Sequence, residues 1–190
     1  MAVEIVSYRD AWPRDFAVIA ADLRAILGSV AVRIDHIGST AVRGLAAKDR
    51  IDVQVGVGGM AMLDEAVMLL ASAGYASRPI SGDHVPPGGS TDPADWQKRF
   101  LNERPGDRRA NIHVRVVGAQ NHRYALLFRD YLRTHDRTAA AYVTLKRRLG
   151  AIAAETSTYA EAKDPACDLI ILAAEDWALA AGWTTGPTDG

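Results

Sequence analysis

Hydrophobic positions change their spacing several times along the chain, and each change predicts an element. Val3 to Tyr8 reads as a short leading strand. From Pro13 the period becomes helical, with Phe16, Ile19, Leu23, Ile26 and Leu27 on one face and Gly28 placed to cap the C-terminal end. Val30 to His36 alternates as a strand and runs into Gly38-Ser39, and Thr40 to Leu45 reads as a short helix or turn. Ile51 to Val57 alternates strictly. Ile51, Val53, Val55 and Val57 fall on one face, and Asp52, Gln54 and Gly56 on the other. Gly58-Gly59 breaks the chain before an amphipathic helix over Met62–Ala73, closed by Gly74. Ser81 to Asp92 is rich in glycine and proline and predicts a mobile loop. Trp96–Leu101 and Asn111–Val117 pair as a hairpin, with Pro105 and Gly106 in the positions a type II turn prefers. Helices are predicted over His122–Thr134, Thr138–Ala154, Tyr159–Lys163 and Pro165–Ala181, the last with Asp164 as N-cap and Pro165 in its first turn. The residues after Gly182 are small and polar and are expected to fray. Strands in the first two-thirds and helices in the last third predict an α+β fold: a small mixed sheet with flanking helices and a helical C-terminal part. One domain is expected over 1–182, followed by a polar tail over 183–190.

Composition narrows the classes. The chain has 190 residues, enough for one domain with a proper core. A formal net charge of −1 argues against a dedicated nucleic-acid binder. Cys167 is the single cysteine, so no internal disulfide can form and a reducing, cytoplasmic setting is expected. No stretch approaches the ~20 apolar residues of a membrane span, and no membrane partner is expected.

The chemistry concentrates between Ile34 and Val57. Unpaired backbone N–H groups at a Gly-Ser turn opening a helix suit an anion, and Gly38, Ser39 and Thr40 are the candidates for a phosphate cradle. An acid on the next strand suits the Mg²⁺ that accompanies nucleotide phosphates. Asp52 and Gln54 lie two apart, so both leave one face of the strand; Gln54 keeps an oxygen ligand without the charge. One weakly held Mg²⁺, or none without nucleotide, is therefore expected, rather than two. On the later strand, Asn111, His113 and Arg115 share a face that carries no acid. His113 is a general base, a phosphate donor, a metal ligand, or a satisfied structural group; the adjacent Arg115 favours an anion. Lys48 lies between the turn and Asp52, within reach of phosphate or in solvent. Lys98 and Arg99, with Arg108 and Arg109, form either a basic rim that grips a phosphorylated ligand or an ordinary charged hairpin. His36 steers the Gly-Ser turn or caps a strand end. Cys167, in an apolar helical pattern, reads as core. P-loop and dinucleotide signatures are missing.

The Gly-Ser turn followed by an acid strand resembles the nucleotidyltransferase superfamily. HIGSTAVRGLAAKDRIDVQV further resembles the signature of the GrpB family, as do Tyr8 with Trp12-Pro13, FRDYLRTH from Phe128, YVTLKRRLG from Tyr142, and Tyr159 with Lys163. The resemblance implies a nucleotidyltransferase-like fold, a nucleotide or phosphorylated small molecule as ligand, and Mg²⁺. It also implies that the faces carrying Arg129, Arg133, Tyr159 and Lys163 close over the site. The expected activity is transfer of a nucleoside monophosphate to a small molecule or protein. The alternative is a non-catalytic regulatory module with a protein partner, suggested by Gln54, by the missing third acid, and by the joining of such domains to dephospho-CoA kinase, which points to coenzyme A synthesis.

Overall fold

A computed structural model of the protein describes residues 3–152 and 156–190. Helix α1 (Trp12–Leu27) leads into strand β1 (Ala31–Ile37), a 3-10 turn over Ser39–Ala41, and β2 (Ile51–Val57). Helix α2 (Met60–Ser72), β3 (Ala76–Arg78), β4 (Arg99–Asn102) and β5 (Ala110–Val116) follow. Helices α3 (Gln120–Thr134), α4 (Asp136–Ile152) and α5 (Thr156–Ala181) complete the order. The five strands form one mixed sheet in the order β1-β2-β5-β4-β3. Only the central β2–β5 pair is parallel, and its register sets Asp52 beside Asn111, Gln54 beside His113 and Gly56 beside Arg115.

The alternation of β2 produces two unlike faces. Ile51, Val53, Val55 and Val57 join Ile112 and Val114 of β5 in a core against Phe16, Leu23 and Leu27 of α1 and Leu63, Ala66 and Leu70 of α2. Burying such side chains is worth about 1.5–3 kcal/mol each, which fixes the register and sends Asp52 and Gln54 to the opposite face. A second core joins Leu127, Tyr131 and Leu132 of α3 to Tyr142 of α4 and to Cys167, Ile170, Ile171 and Ala174 of α5. Val42 and Leu45, just after the Gly-Ser turn, belong to this helical core. The turn is therefore pinned between sheet and helices.

Three expectations are corrected, and one strand was not anticipated: β3, too short to alternate, pairs with β4. The leading segment forms only an isolated bridge, Val6 to Ala47, not a strand. Pro165 does not open a helix: α5 continues through it. Tyr159 before it and Cys167, Ile170 and Ile171 after it are all buried, and this packing outweighs the backbone hydrogen bond that proline removes. The segment after Gly182 is not loose. Thr188 Oγ1 donates to the Ile34 carbonyl at 2.7 Å, the Ile34 N–H donates back at 3.0 Å, and the His36 N–H donates to Asp189 at 3.0 Å. β1 is a sheet edge with open backbone groups, and the tail satisfies them. The predicted end of α4 at Ala154 lies outside the described residues.

Candidate functional site

The polar face of β2 and β5 opens into a cavity of about 290 Å³ between the sheet and the helical core. Gly38, Ser39, Asp52, His113 and Arg115 line its floor, with Tyr124, Phe128 and Tyr142 from the helices opposite. A side chamber of about 160 Å³ shares Ser39, Asp52, Tyr142 and Lys163 with it and adds Lys48 and Lys146. Gly38, Ser39, Asp52, His113 and Arg115 thus meet, as their strand positions predicted. Lys98 is tied to the same cluster through Asp83.

Glycine is required at position 38 for two reasons. Its φ is +68°, and a Cβ there would lie 2.5 Å from Asp52 Oδ2. The turn is wrapped directly over the carboxylate. Asp52 Oδ1 accepts from Asn111 Nδ2 at 2.7 Å, and His113 Nε2 lies 3.8 Å away. Burial raises the Asp52 pKa, but His113, Asn111 and Lys163 outweigh it and hold the carboxylate below its ordinary value. The His113 pKa is lowered, first by burial and then by Arg115 and Lys98, against the opposing pull of Asp52. Its Nδ1 is buried with no hydrogen-bond partner among the described residues.

Ser39 is approached from a direction the sequence does not disclose. Lys146 of α4, 107 residues away, donates from Nζ to Ser39 Oγ at 2.9 Å and also to the Ala46 carbonyl. Burial, then the charge of Lys163, lowers its pKa to about 7. Lys48 stands 4.0 Å over the Tyr159 ring, and its pKa falls to about 8, again through burial and then Lys163. Three lysines converge beside Ser39 and Asp52. Thr40 also lines the side chamber, but its hydroxyl is engaged by His36 Nε2 at 3.0 Å. His36 is stacked on Phe16 with centroids 4.7 Å apart, so it supports the turn from the far side of the sheet.

Gln54 and Arg115 are not arranged as expected. Gln54 is fully buried. Its Oε1 accepts from Arg115 Nη1 at 2.7 Å and its Nε2 donates to the His122 carbonyl at 3.2 Å. The oxygen expected to face a cation is thus turned onto a guanidinium. Arg115 in turn grips Asp83, with Nε to Oδ2 at 2.8 Å and Nη2 to Oδ1 at 3.1 Å. Lys98 Nζ also donates to Asp83 Oδ1, and Asn121 Nδ2 to Oδ2 at 3.1 Å. Burial opposes ionisation of Asp83, but Arg115 and Lys98 hold its pKa far below the ordinary carboxylate range. Asp83 is the residue that sequence reasoning missed. It sits in the loop expected to be mobile, and no periodicity marks it. Its one sequence signal is an acid set inside a Gly/Pro-rich stretch, away from the Asp92 that ends it.

The basic rim is dispersed. Arg99 pairs with Asp64, and Arg108 pairs with Asp15 and Asp49. Arg129 donates to the His36 carbonyl at 3.0 Å and to Asp189 at 2.6 Å, and Arg133 donates to the Ala41 carbonyl at 3.1 Å. Both therefore clamp the backbone on either side of the turn instead of closing over the cavity.

A pair of magnesium ions does not fit this donor set. Among the described residues no group of three His, Cys, Asp or Glu side chains converges, and Asp83 is neutralised by two cations. A single Mg²⁺, which keeps several waters and needs only one or two carboxylates plus substrate phosphates, fits Asp52.

The sheet order, the Gly-Ser turn and the acid strand beneath it define a nucleotidyltransferase-like fold. Cid1, an RNA terminal uridylyl transferase, superposes with a TM-score of 0.51 at 15% identity, over 74% of this chain and 40% of that one; this likeness shows the fold alone. The chain belongs to the GrpB family: the family model described as GrpB protein matches residues 2–172. The crystal structure of GrpB from Enterococcus faecalis superposes with a TM-score of 0.74 at 29% identity, covering 92% of this chain and 99% of that one. A protein named dephospho-CoA kinase from Mycobacterium leprae (strain TN) is 36% identical over 182 residues, covering 87% of this chain and 44% of that protein. The chain thus spans less than half the length of that relative. No helix among the described residues is long and apolar enough to cross a membrane.

Proposed function

We propose that this protein binds a nucleoside triphosphate in the cavity and transfers its nucleoside monophosphate to a small-molecule or protein acceptor. The observation that carries this reading is that Lys48, Lys146 and Lys163 line one chamber with Ser39 and the Asp52 carboxylate, Lys146 bonding Ser39 directly. Three lysines crowded in a half-buried chamber repel one another, and a phosphate chain relieves that repulsion. Ser39 and Lys146 hold the phosphates at the turn. Tyr124 and Phe128 offer apolar ring surface across the cavity, suited to a nucleobase. Asp52 would hold one Mg²⁺ jointly with the phosphates, and that ion supplies charge neutralisation at the transferred group.

In the transfer, an acceptor hydroxyl attacks the α-phosphorus, the α–β phosphoanhydride bond breaks, and pyrophosphate leaves. His113, neutral and 3.8 Å from Asp52, takes the hydroxyl proton. Lys98 and Arg115 add positive potential from the floor of the site. With one carboxylate on the strand floor free for a metal, the turnover is slow.

A second reading is favoured by one specific observation. Gln54 and Asp83 are both consumed by Arg115, which leaves a pocket with little acidic machinery. On this reading the domain binds nucleotide without turnover and regulates a protein partner, such as a kinase of coenzyme A synthesis like the longer relatives.

Thermal melting against nucleoside triphosphates with Mg²⁺, with chelator, and in Asp52→Asn tests the shared premise. A metal-dependent stabilisation lost in the variant supports the site, whereas no shift with any nucleotide at millimolar concentration rejects it. Pyrophosphate release that vanishes in Asp52→Asn selects transfer over the regulatory module.

A further inference from the structure

Asp83 lies in a loop whose neighbours are exposed, yet its carboxylate reaches inward to three donors on three different elements: Lys98 before β4, Arg115 on β5 and Asn121 on α3. The two cations are nearly buried, with side-chain exposures of 11% for Lys98 and 7% for Arg115. One carboxylate bonds both cations, and the second carboxylate of the cavity, Asp52, acts on Lys98 only through space, so the hydrogen-bonded cluster itself keeps a surplus positive charge. Gln54, the other group on Arg115, brings no charge to offset it. Asn121 Oδ1 is buried and has no partner among the described residues. The donors are thus preorganised for an anion larger and more highly charged than the one they hold.

We propose that Lys98, Arg115 and Asn121 form a second anion subsite, distinct from the lysine chamber, that Asp83 fills as an exchangeable internal anion and that receives the phosphate of an anionic acceptor substrate. A phosphate dianion matches both cations in charge and offers Arg115 the same two-pronged pairing that Asp83 now makes; inorganic hydrogen phosphate can in addition present its hydroxyl to Asn121 Oδ1. The backbone around Asp83 is bonded to the segment before β4, with the Asp83 N–H on the Trp96 carbonyl at 2.9 Å and the Lys98 N–H on the Ser81 carbonyl at 3.0 Å, so the exchange needs only the Asp83 side chain to rotate away and leaves the strands and α3 in place. The subsite lies on the floor of the same cavity as Asp52 and His113. An acceptor anchored there by its phosphate would have its other end at the reacting groups. This last step rests on the transfer reading; the anion exchange itself does not.

The test is phosphate binding, read by calorimetry and by thermal melting, in the wild-type chain, in Asp83→Asn and in Asp83→Ala. Removing the internal competitor should tighten inorganic phosphate binding at least about ten-fold in Asp83→Asn. Asp83→Ala should melt early in phosphate-free buffer and recover with phosphate, because two buried cations are otherwise left unpaired. The gain should disappear when Lys98→Met is added and should survive Lys48→Ala, since Lys48 lines the side chamber and not the cavity of Arg115 and Asn121. Equal phosphate affinity in wild type and Asp83→Asn would overturn the proposal and leave Asp83 a structural ion-pair partner. A gain abolished by Lys48→Ala would also overturn it, by locating the phosphate in the lysine chamber. Because Lys48→Ala should weaken nucleotide binding and leave this exchange intact, failure of the nucleotide reading and failure of this one are separable.

Discussion

Replacing Gly38 by alanine tests the central contact of the site. Two penalties are expected. The backbone sits at φ +68°, where an L-residue with a Cβ costs about 1–2 kcal/mol. The new Cβ would lie 2.5 Å from Asp52 Oδ2 and 3.0 Å from its Cγ, closer than real Cβ atoms come. Either the turn lifts or the carboxylate rotates. Rotation gives up the 2.7 Å hydrogen bond from Asn111, worth about 1.5–3 kcal/mol for a charged acceptor. The expected loss is about 2.5–5 kcal/mol, a large part of the 5–15 kcal/mol that stabilises a typical domain. Gly44 supplies the control. Its φ is +80°, but a Cβ there meets nothing within 4 Å, so Gly44→Ala should lose only the backbone penalty. Urea unfolding at constant m-value measures both. Asp52→Ala in the Gly38→Ala background should recover part of the loss, since the group that clashes is gone. Equal losses for Gly38→Ala and Gly44→Ala would refute the claim that Asp52 dictates glycine at position 38.

Three further outcomes are expected. Lys146, with its pKa lowered to about 7 by burial, binds its proton less tightly folded than unfolded. Its contribution to stability therefore rises with pH from about 7 toward the ordinary lysine range, by at most about 1.4 kcal/mol per pH unit; Lys146→Met should flatten that limb of the pH–stability curve, and an unchanged slope would count against a buried lysine there. His36 has its pKa lowered from 6.5 to about 4, chiefly by burial, so folding should lose up to about 3 kcal/mol as pH falls through that window. His36→Phe should show a smaller acid loss, and an identical acid limb would contradict the buried, neutral imidazole on Phe16. Lys163→Ala should weaken triphosphate binding while leaving the melting temperature of the free protein within a few degrees, measured by calorimetry and melting on the same sample; unchanged affinity would remove the lysine chamber from the phosphate site.

Much of the fold was legible because it follows from local periodicity. The alternation of Ile51 to Val57 fixed which face of β2 is core, and with it the direction of Asp52 and Gln54. The apolar stripe of α1, the helix closed by Gly74 and the hairpin around Pro105-Gly106 were readable for the same reason: spacing and turn chemistry are properties of neighbouring residues. The order of these parts, together with the Gly-Ser turn, also carried the family resemblance. Pro165 shows the limit of local rules, since its flanking apolar residues draw one helix through it.

What the sequence could not specify are partners brought together by the chain's path through space. Lys146 meets Ser39 because α4 crosses the turn, and no spacing announces a contact 107 residues long. Asp83 reaches Arg115 from a loop without periodicity, and this decides that Gln54 and Arg115 face each other and the acid rather than open space. The tail was polar enough to predict fraying, yet it satisfies the open edge of β1. The sequence determined by itself the faces of the elements, the glycine turn and the acid beneath it, because those depend on residues a few positions apart. Only the tertiary structure decided which charges are neutralised and which remain for a ligand, because a buried charge is set by every group that packs around it.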